Sequence, residues 1–573
     1  VATIEVNGKK LQAEAGTTIL SVLRKHGIHV PSLCNMEELL PTGACRLCVV
    51  EVEGMRGLVP SCSFPVADNM KIKTHSQRVL SARKTIVELL LANHPDDCFY
   101  CERNGNCELQ KLAEEMNVRE RRHTGGKLHF KKDVSSESLV RDPEKCILCG
   151  RCVRVCEEIQ GVAAIDFIGR GCNTQVGTAF GDGLNVSTCI NCGQCAMVCP
   201  TGALIEQSSL ERVEAALRDP DLFVVAQHAP SISISLGEAL GLAPGMDVCG
   251  AMTAALRDIG FERVFDTGFA ADLTIMEEAS ELVSRIKNGG VLPMLTSCSP
   301  GWIKFVEHTY PNFIPNLSTC KSPQQMMGAI VKSYYAQKEG IDPKKIFSVS
   351  IMPCTAKKFE AQRPEMSRGG IPDIDAVLTT RELAKLLRKF GLELENLDPQ
   401  KADSPLGSRS GAGKLFGATG GVMEAALRTA HFLLTGKEMD NLVVSEVREL
   451  RGIKEATVEI AGLKIGAAVA SGLGNARALL DQIAEGRKDL HFIEIMTCPG
   501  GCIAGGGQPI GVAKENIRTR MKKLYEIDQR ETVRVSHGNT QVKQLYEEFL
   551  GAPLGEKSHE LLHTHYHARG AGH

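Results

Sequence analysis

Apolar and polar positions alternate at the start of the chain, with Ile4 and Val6 on one face and Asn7-Gly8 directly after them. That pattern predicts a β-hairpin within residues 1–20, because Asn-Gly favours the tight turns that join antiparallel strands. Between Thr17 and His26 the spacing of Ile19, Val22 and Leu23 changes to that of a helix. Residues 79–120 read as helical, most strongly from Val79 to Leu91, and the polar, basic stretch 121–140 reads as a linker. Beyond about residue 209, short apolar runs such as Phe223-Val224-Val225-Ala226 and Phe347-Ser348-Val349-Ser350-Ile351 predict buried strands. They alternate with amphipathic stretches, Met276 to Ile286 and Arg381 to Phe390, which is an α/β arrangement.

At 573 residues the chain is too long for one core, and about 150 residues per domain gives three or four domains. The 66 basic and 68 acidic residues nearly cancel, so charge gives no argument for nucleic acid. No apolar run is long enough for a membrane helix. The first residues lack the apolar core of a signal peptide, and both observations lead us to expect a cytoplasmic protein.

Cysteine changes the picture. Of 22 cysteines, 16 lie before residue 200, mostly two residues apart. Serial C-x-x-C runs let several thiolates reach one metal centre and are unlike a short secreted disulfide scaffold. The first set, Cys34, Cys45, Cys48 and Cys62, follows the ββα opening and suits a [2Fe–2S] cluster, with structural zinc as the alternative. The second, His94 with Cys98, Cys101 and Cys107, offers one imidazole and three thiolates. These two segments resemble the [2Fe–2S] domain and the histidine-ligated [4Fe–4S] site of the large iron–sulfur subunit of respiratory complex I and of multi-cluster hydrogenases. The third set is the most specific. Cys146, Cys149, Cys152 and Cys156 form C-x2-C-x2-C-x3-C, and Cys189, Cys192, Cys195 and Cys199 repeat it, ending in Cys-Pro. In this two-cluster ferredoxin signature the fourth cysteine of each run serves the other cluster. Cys199 is thus expected beside Cys146, Cys149 and Cys152, and Cys156 beside Cys189, Cys192 and Cys195. The expectation is one [2Fe–2S] and three accessory [4Fe–4S] clusters.

Three distant segments complete the pattern: Thr296-Ser297-Cys298-Ser299-Pro300-Gly301-Trp302, Met352-Pro353-Cys354-Thr355-Ala356-Lys357, and Met496-Thr497-Cys498-Pro499-Gly500-Gly501-Cys502. Spacing alone argues only weakly for a shared site, since isolated cysteines often sit in cores. The segments resemble the signature motifs of [FeFe]-hydrogenases, and the resemblance runs over nearly the whole chain. It implies a multidomain α+β and α/β protein: a [2Fe–2S] ferredoxin-like domain at 1–78, a [4Fe–4S] domain at 79–120, a two-[4Fe–4S] ferredoxin domain at 139–208 and an H-cluster domain at 209–573. The H-cluster of that family is a [4Fe–4S] unit joined to a two-iron centre carrying CO, cyanide and azadithiolate. By position, the resemblance makes Cys354, Cys498 and Cys502 cubane ligands and pairs Lys357 with a cyanide. It sets Ala229, Pro230, Ser231, Pro323 and Gln324 at the diatomic ligands, and Met352, Phe416 and Met496 around the cluster. It also implies a proton path through Arg285, Glu281, Ser318 and Glu278 to Cys298. The spacing of Glu278, Glu281 and Arg285 puts them on one helix face, which equally suits a solvated charged face.

One position departs from the family. Where the motif usually has two cysteines, this chain has Cys298-Ser299, so Ser299 stands in the register of a cubane ligand. Either Cys298 relays protons while Ser299 or water completes the cubane, or Cys298 swings in as the ligand, or the position is altered in a subgroup or by engineering. An alkoxide is a harder and more basic ligand than a thiolate. Cys172, Cys249 and Cys320 read as small core residues. The tail histidines His559, His563, His565 and His567 read as a solvated or partner-facing tail, with metal binding as the weaker reading.

The implied activity is reversible oxidation of H2. No G-x-G-x-x-G lies between a strand and a helix, so electrons are expected from ferredoxin or from a partner subunit. The tail Leu562-His563-Thr564-His565-Tyr566 and the Cys298-Ser299 pair resemble catalytic subunits of multi-subunit, NAD(P)-linked and electron-bifurcating hydrogenases, which implies flavin- and [2Fe–2S]-containing NAD(P)-reducing partners. Rival readings are a stand-alone ferredoxin hydrogenase, a sensory relative, and a non-catalytic cluster-assembly protein.

Overall fold

The computed structural model describes residues 1–123, 126–450 and 452–570. The hairpin forms as expected. Strands Ala2–Val6 and Lys9–Ala13 pair antiparallel around Asn7, whose φ of 51° suits the turn. They extend into a five-stranded sheet with Lys71–Lys73, Val49–Val52 and Val59–Pro60, which packs on the helix Ile19–Lys25. Ile4, Val6, Ile19, Leu23, Val50 and Ile72 form its core, with Cys48 and Cys62 buried in the same cluster.

The expected helical stretch 79–120 is two helices, Gln77–Asn93 and Glu108–Glu115. The break has a local cause. His94 precedes Pro95, which disfavours the helical basin, and His94 is extended at ψ 144°. The chain then loops through Cys98, Cys101 and Cys107.

The large domain is built on two sheets. In the first, strands Arg263–Asp266, Phe223–His228, Ile346–Met352 and Ala376–Thr379 lie side by side, all parallel. In the second, Met294–Leu295, Phe492–Met496 and Leu463–Ser471 are parallel, and Ile453–Ile460 closes the edge antiparallel. Sheets buried on both faces need near-continuous apolar strands. Phe492–Met496 is buried throughout, and Glu494 is its one charge. Parallel strands leave their carboxyl ends on one edge, where ligand sites of α/β folds collect. Here the loops after Phe223–His228, Ile346–Met352, Met294–Leu295 and Phe492–Met496 all turn into the same interior.

Side-chain hydrogen bonds tie the accessory segments to one another and to this domain. Arg151 and Arg154 flank Cys152. The Arg151 guanidinium forks onto Glu108 at 2.7 and 3.0 Å, and Arg154 donates to the Cys34 carbonyl at 2.6 Å. At the other side Thr355 donates to the Asn191 carbonyl at 2.7 Å and Gln194 to the Ala504 carbonyl at 3.2 Å. Gly506 packs so closely there that a Cβ would stand 2.1 Å from the Cys192 oxygen.

Gly506→Ala should therefore open the seam between the ferredoxin repeat and the large domain. A loss of about 1–3 kcal/mol is expected from overpacking, read as a lower midpoint of thermal unfolding. An unchanged midpoint would mean the seam yields freely.

Candidate metal centre

Each cysteine set from the sequence comes together. Cys34 lies within hydrogen-bonding reach of Cys45 and Cys62, and Cys48 of Cys62. The Leu33 amide points at the Cys45 sulfur from 3.4 Å. His94, Cys98, Cys101 and Cys107 line one hollow. Burial holds the His94 pKa down at about 4, so the ring is neutral and keeps a lone pair. Its Nδ1 is buried with no hydrogen-bond partner among the described residues, which suits an imidazole that ligates a metal.

The ferredoxin repeat crosses its fourth cysteines. Cys146, Cys149, Cys152 and Cys199 line one hollow, and Cys156, Cys189, Cys192 and Cys195 line another. Gly150 and Gly193, both at positive φ, open the short helices Arg151–Arg154 and Gln194–Val198 at equivalent points of the two halves.

In the large domain the four strand-end loops meet around a cavity. Cys298, Ser299, Cys354, Cys498 and Cys502 line it, with Ala229, Pro230, Ser231, Pro323, Gln324, Met352, Lys357, Phe416 and Met496. Every residue assigned to this centre from the sequence is on its wall. Sequence reasoning missed Thr267, Ala271 and Gly417, which complete it. They are small and carry no motif, and only the folded path brings them in. Glycine makes the approach of the thiol loops possible. A Cβ on Gly505 would stand 2.2 Å from the Pro353 oxygen, and one on Gly501 2.6 Å from the Thr419 nitrogen. Three converging thiols, a largely apolar wall and one buried lysine fit a cluster with small anionic ligands. Burial raises the Cys354, Cys498 and Cys502 thiols, Cys502 to about 12. A metal must displace those protons to bind.

Cys298 and Ser299 face different neighbours. The Ser299 hydroxyl is 2.8 Å from Thr497 Oγ1 and accepts from the Thr497 amide at 3.3 Å, on the side of Cys498. Cys298 packs against the apolar cluster that includes Met496, Phe416 and Ala271. Burial raises its thiol, and the charge of Glu278 adds to the effect while Lys357 opposes it. Lys357 donates to the Cys298 carbonyl at 3.1 Å and to Glu360 at 2.8 Å. Gln324 bonds Glu360 as well, at 3.1 Å.

The helix Thr267–Asn288 carries Glu278, Glu281 and Arg285 inward. The solvated-face reading fails, because Glu278 is 1% and Glu281 8% exposed. Ser318 donates to Glu281 at 2.8 Å and Arg285 to Glu281 at 2.6 Å. Burial is the main cause that lifts Glu278 from 4.5 to about 8, followed by repulsion from Glu281 and Glu494. Glu494 was also missed. As the sole charge in an apolar strand it was a visible signal. It accepts from the Gly420 and Met423 amides at 2.7 Å.

The unassigned cysteines divide. Cys320 is fully buried in the core, Cys249 is half-buried at a helix start, and Cys172 is exposed rather than core. Of the tail histidines, His563 is buried and His559, His565 and His567 are exposed. Among the described residues no helix is long and apolar enough to cross a membrane.

Comparison with known proteins agrees with these sites. Residues 222–506 match the family described as iron only hydrogenase large subunit, C-terminal domain, and 514–569 match iron hydrogenase small subunit. Residues 2–77 match a 2Fe-2S iron-sulfur cluster binding domain. Residues 83–122 match the NADH-ubiquinone oxidoreductase-G iron-sulfur binding region, and 137–205 the ferredoxin-like domain of NADH-quinone oxidoreductase subunit 3. The chain is 49% identical to the NADP-reducing hydrogenase subunit HndD of Solidesulfovibrio fructosivorans, over 99% of both chains. It is 42% identical to iron hydrogenase 1 of Clostridium pasteurianum, over 98% of this chain and 99% of that one. The solved apo [FeFe]-hydrogenase of Chlamydomonas reinhardtii superposes with a TM-score of 0.58 at 43% identity, over 64% of this chain and all of the other. The chain belongs to the [FeFe]-hydrogenase family, as a multidomain enzyme whose 2Fe-2S and 4Fe-4S binding regions precede the hydrogenase domain.

Proposed function

We propose that this hydrogenase is the catalytic subunit of an NADP-linked complex, with four accessory clusters and an H-cluster held by the cysteines named above. When bound, the H-cluster supplies the iron at which H2 is split or formed, and the accessory clusters supply one-electron carriers. The observation that carries the reading is the single cavity where Cys354, Cys498 and Cys502 meet Lys357 and the Ala229-Pro230-Ser231 turn.

The chain's own residues then have separable tasks. Lys357, fixed by Glu360, places a positive charge where small anionic ligands would lie. Met352, Phe416 and Met496 exclude water. Cys298 is the group that receives or gives a proton at the cavity, because its thiol lies on the Glu278 side while Ser299 is tied to Thr497. Ser299, or a water it orients, would then complete the ligands of the cubane. Glu278 holds its proton at neutral pH and hands it to Ser318 and Glu281.

The NADP link rests on the relative that is 49% identical and named as an NADP-reducing hydrogenase subunit. It rests also on the lack of a nucleotide fingerprint in this sequence. Flavin- and [2Fe–2S]-containing subunits are the partners this requires, with ferredoxin as a second carrier.

Three outcomes test the reading. The matured chain alone should oxidise H2 with a viologen dye but reduce NADP only when a flavoprotein partner is added. NADP reduction by the chain alone would contradict the division of labour. Cys298→Ala should keep the infrared bands of metal-bound CO and cyanide while losing turnover by about a hundredfold or more, the scale of a lost proton-transfer group. Loss of the bands together with activity would make Cys298 a ligand instead. Glu278 has a raised pKa in the folded chain, so folding takes up a proton between 4.5 and about 8. Stability should fall as pH rises through that window, by an amount on the order of a few kcal/mol. Glu278→Gln should lack that fall in thermal unfolding, and parallel curves for the two proteins would show that Glu278 titrates normally.

A further inference from the structure

Glu281 has two neighbours that lead away from the cavity. Arg285 is one. Its guanidinium donates to Glu281 Oε1 and to the carbonyls of Val291, Pro315, Asn316 and Leu317. An arginine keeps its protons at any relevant pH and has no acceptor atom. Arg285 therefore holds Glu281 in place, but it has no means of passing a proton from Glu281 to water.

The other neighbour has that means. Thr319 Oγ1 donates to Glu281 Oε2 at 3.4 Å and meets His563 Nδ1 at 2.8 Å. His563 Nε2 is 3.2 Å from Glu277 Oε2, and Glu277 is held by the Tyr546 hydroxyl at 2.5 Å and the Leu554 amide at 2.8 Å. His559, one helical turn earlier and exposed, lies with its ring centroid 4.3 Å from that of His563. The tail is pinned rather than loosely laid. The Lys321 amide donates to the Leu562 carbonyl at 2.7 Å and the Thr564 amide to the Thr319 carbonyl at 2.8 Å. Cys320 Sγ lies 3.9 Å from Glu281, and Glu278 and His565 also bear electrostatically on this junction.

We infer that protons travel between Glu281 and solvent through Thr319 and His563, with His559 as the surface terminus, and that Arg285 is a positioning residue. This rests on the reading of Glu278 and Glu281 as the inner proton path. An imidazole takes a proton on one nitrogen and releases one from the other, and a hydroxyl accepts one as it donates its own. For inward transfer, a proton arriving at the Glu277–His563 pair is taken on Nε2. The Nδ1 proton passes to Thr319, and the Thr319 hydroxyl proton passes to Glu281. Outward transfer is the reverse, and no bond other than N–H and O–H changes.

The test uses the full chain in two states. In chain that lacks the two-iron centre, infrared spectra at mildly acidic pH give the carboxylic acid band that disappears in Glu278→Gln. The rate at which this band shifts after transfer to deuterium oxide measures proton access without turnover. His563→Gln and Thr319→Val should each slow that shift by about tenfold or more, and His559→Ala should slow it less. In matured enzyme, His563→Gln should lower dye-linked H2 oxidation, with free imidazole restoring part of it. Where His563→Gln does not fold, Thr319→Val decides, since it removes one hydroxyl and leaves the tail's backbone pairing intact. Exchange and turnover as fast as the parent in both variants would overturn the branch, provided Glu278→Gln is impaired. If Glu278→Gln itself turns over normally, the inner path is wrong instead.

Discussion

The structure depends on where parallel strands end. Two sheets with their carboxyl edges turned toward each other leave a space that no strand can fill, and four loops must close it. The loops carry Pro230, Pro353 and Pro499 and the glycines of residues 500–507 because only tight turns let backbones come so near. Thiols on such loops are brought together by the sheets and not by one another. This is how Cys354, Cys498 and Cys502, far apart in sequence, share a cavity.

A largely apolar cavity sets the electrostatics around it. Charges buried near it are paired or hydrogen-bonded. Lys357 meets Glu360, Arg285 meets Glu281, and Glu494 takes two backbone amides. Glu278 differs, with one carboxylate oxygen buried and without a hydrogen-bond partner among the described residues. Burial is the main cause of its raised pKa, and repulsion from Glu281 and Glu494 adds to it. Burial thus separates carboxylates that hold their place as anions from one that stores a proton.

The accessory domains were legible because their chemistry is local. A C-x-x-C run states its ligands without knowledge of the fold, and even the crossing of Cys156 and Cys199 follows from the repeat. The hairpin at Asn7-Gly8 and the strand Phe223–His228 were equally local. The cavity was less so. Its cysteines were visible as motifs, but their meeting depends on sheet order, and Thr267, Ala271 and Gly417 gave no signal. The helix face of Glu278, Glu281 and Arg285 was right in register and ambiguous in burial, since a charged stripe reads the same in water or against a core. The break at His94-Pro95 was missed because the apolar period resumes on the far side of the loop. His563 was hidden for a related reason: a His-rich tail looks solvated until backbone pairing with residues 319–321 draws one histidine inward.

The most direct measurement of the central claim is a crystal structure of the iron-loaded chain with iron anomalous differences. Peaks are expected in the cavity bounded by Cys354, Cys498 and Cys502, with metal–sulfur distances of about 2.3 Å, as for other metal–thiolate bonds, and with Ser299 or a water at the fourth corner. An iron-loaded chain whose anomalous peaks leave that cavity empty, or bind it through other residues, would contradict it.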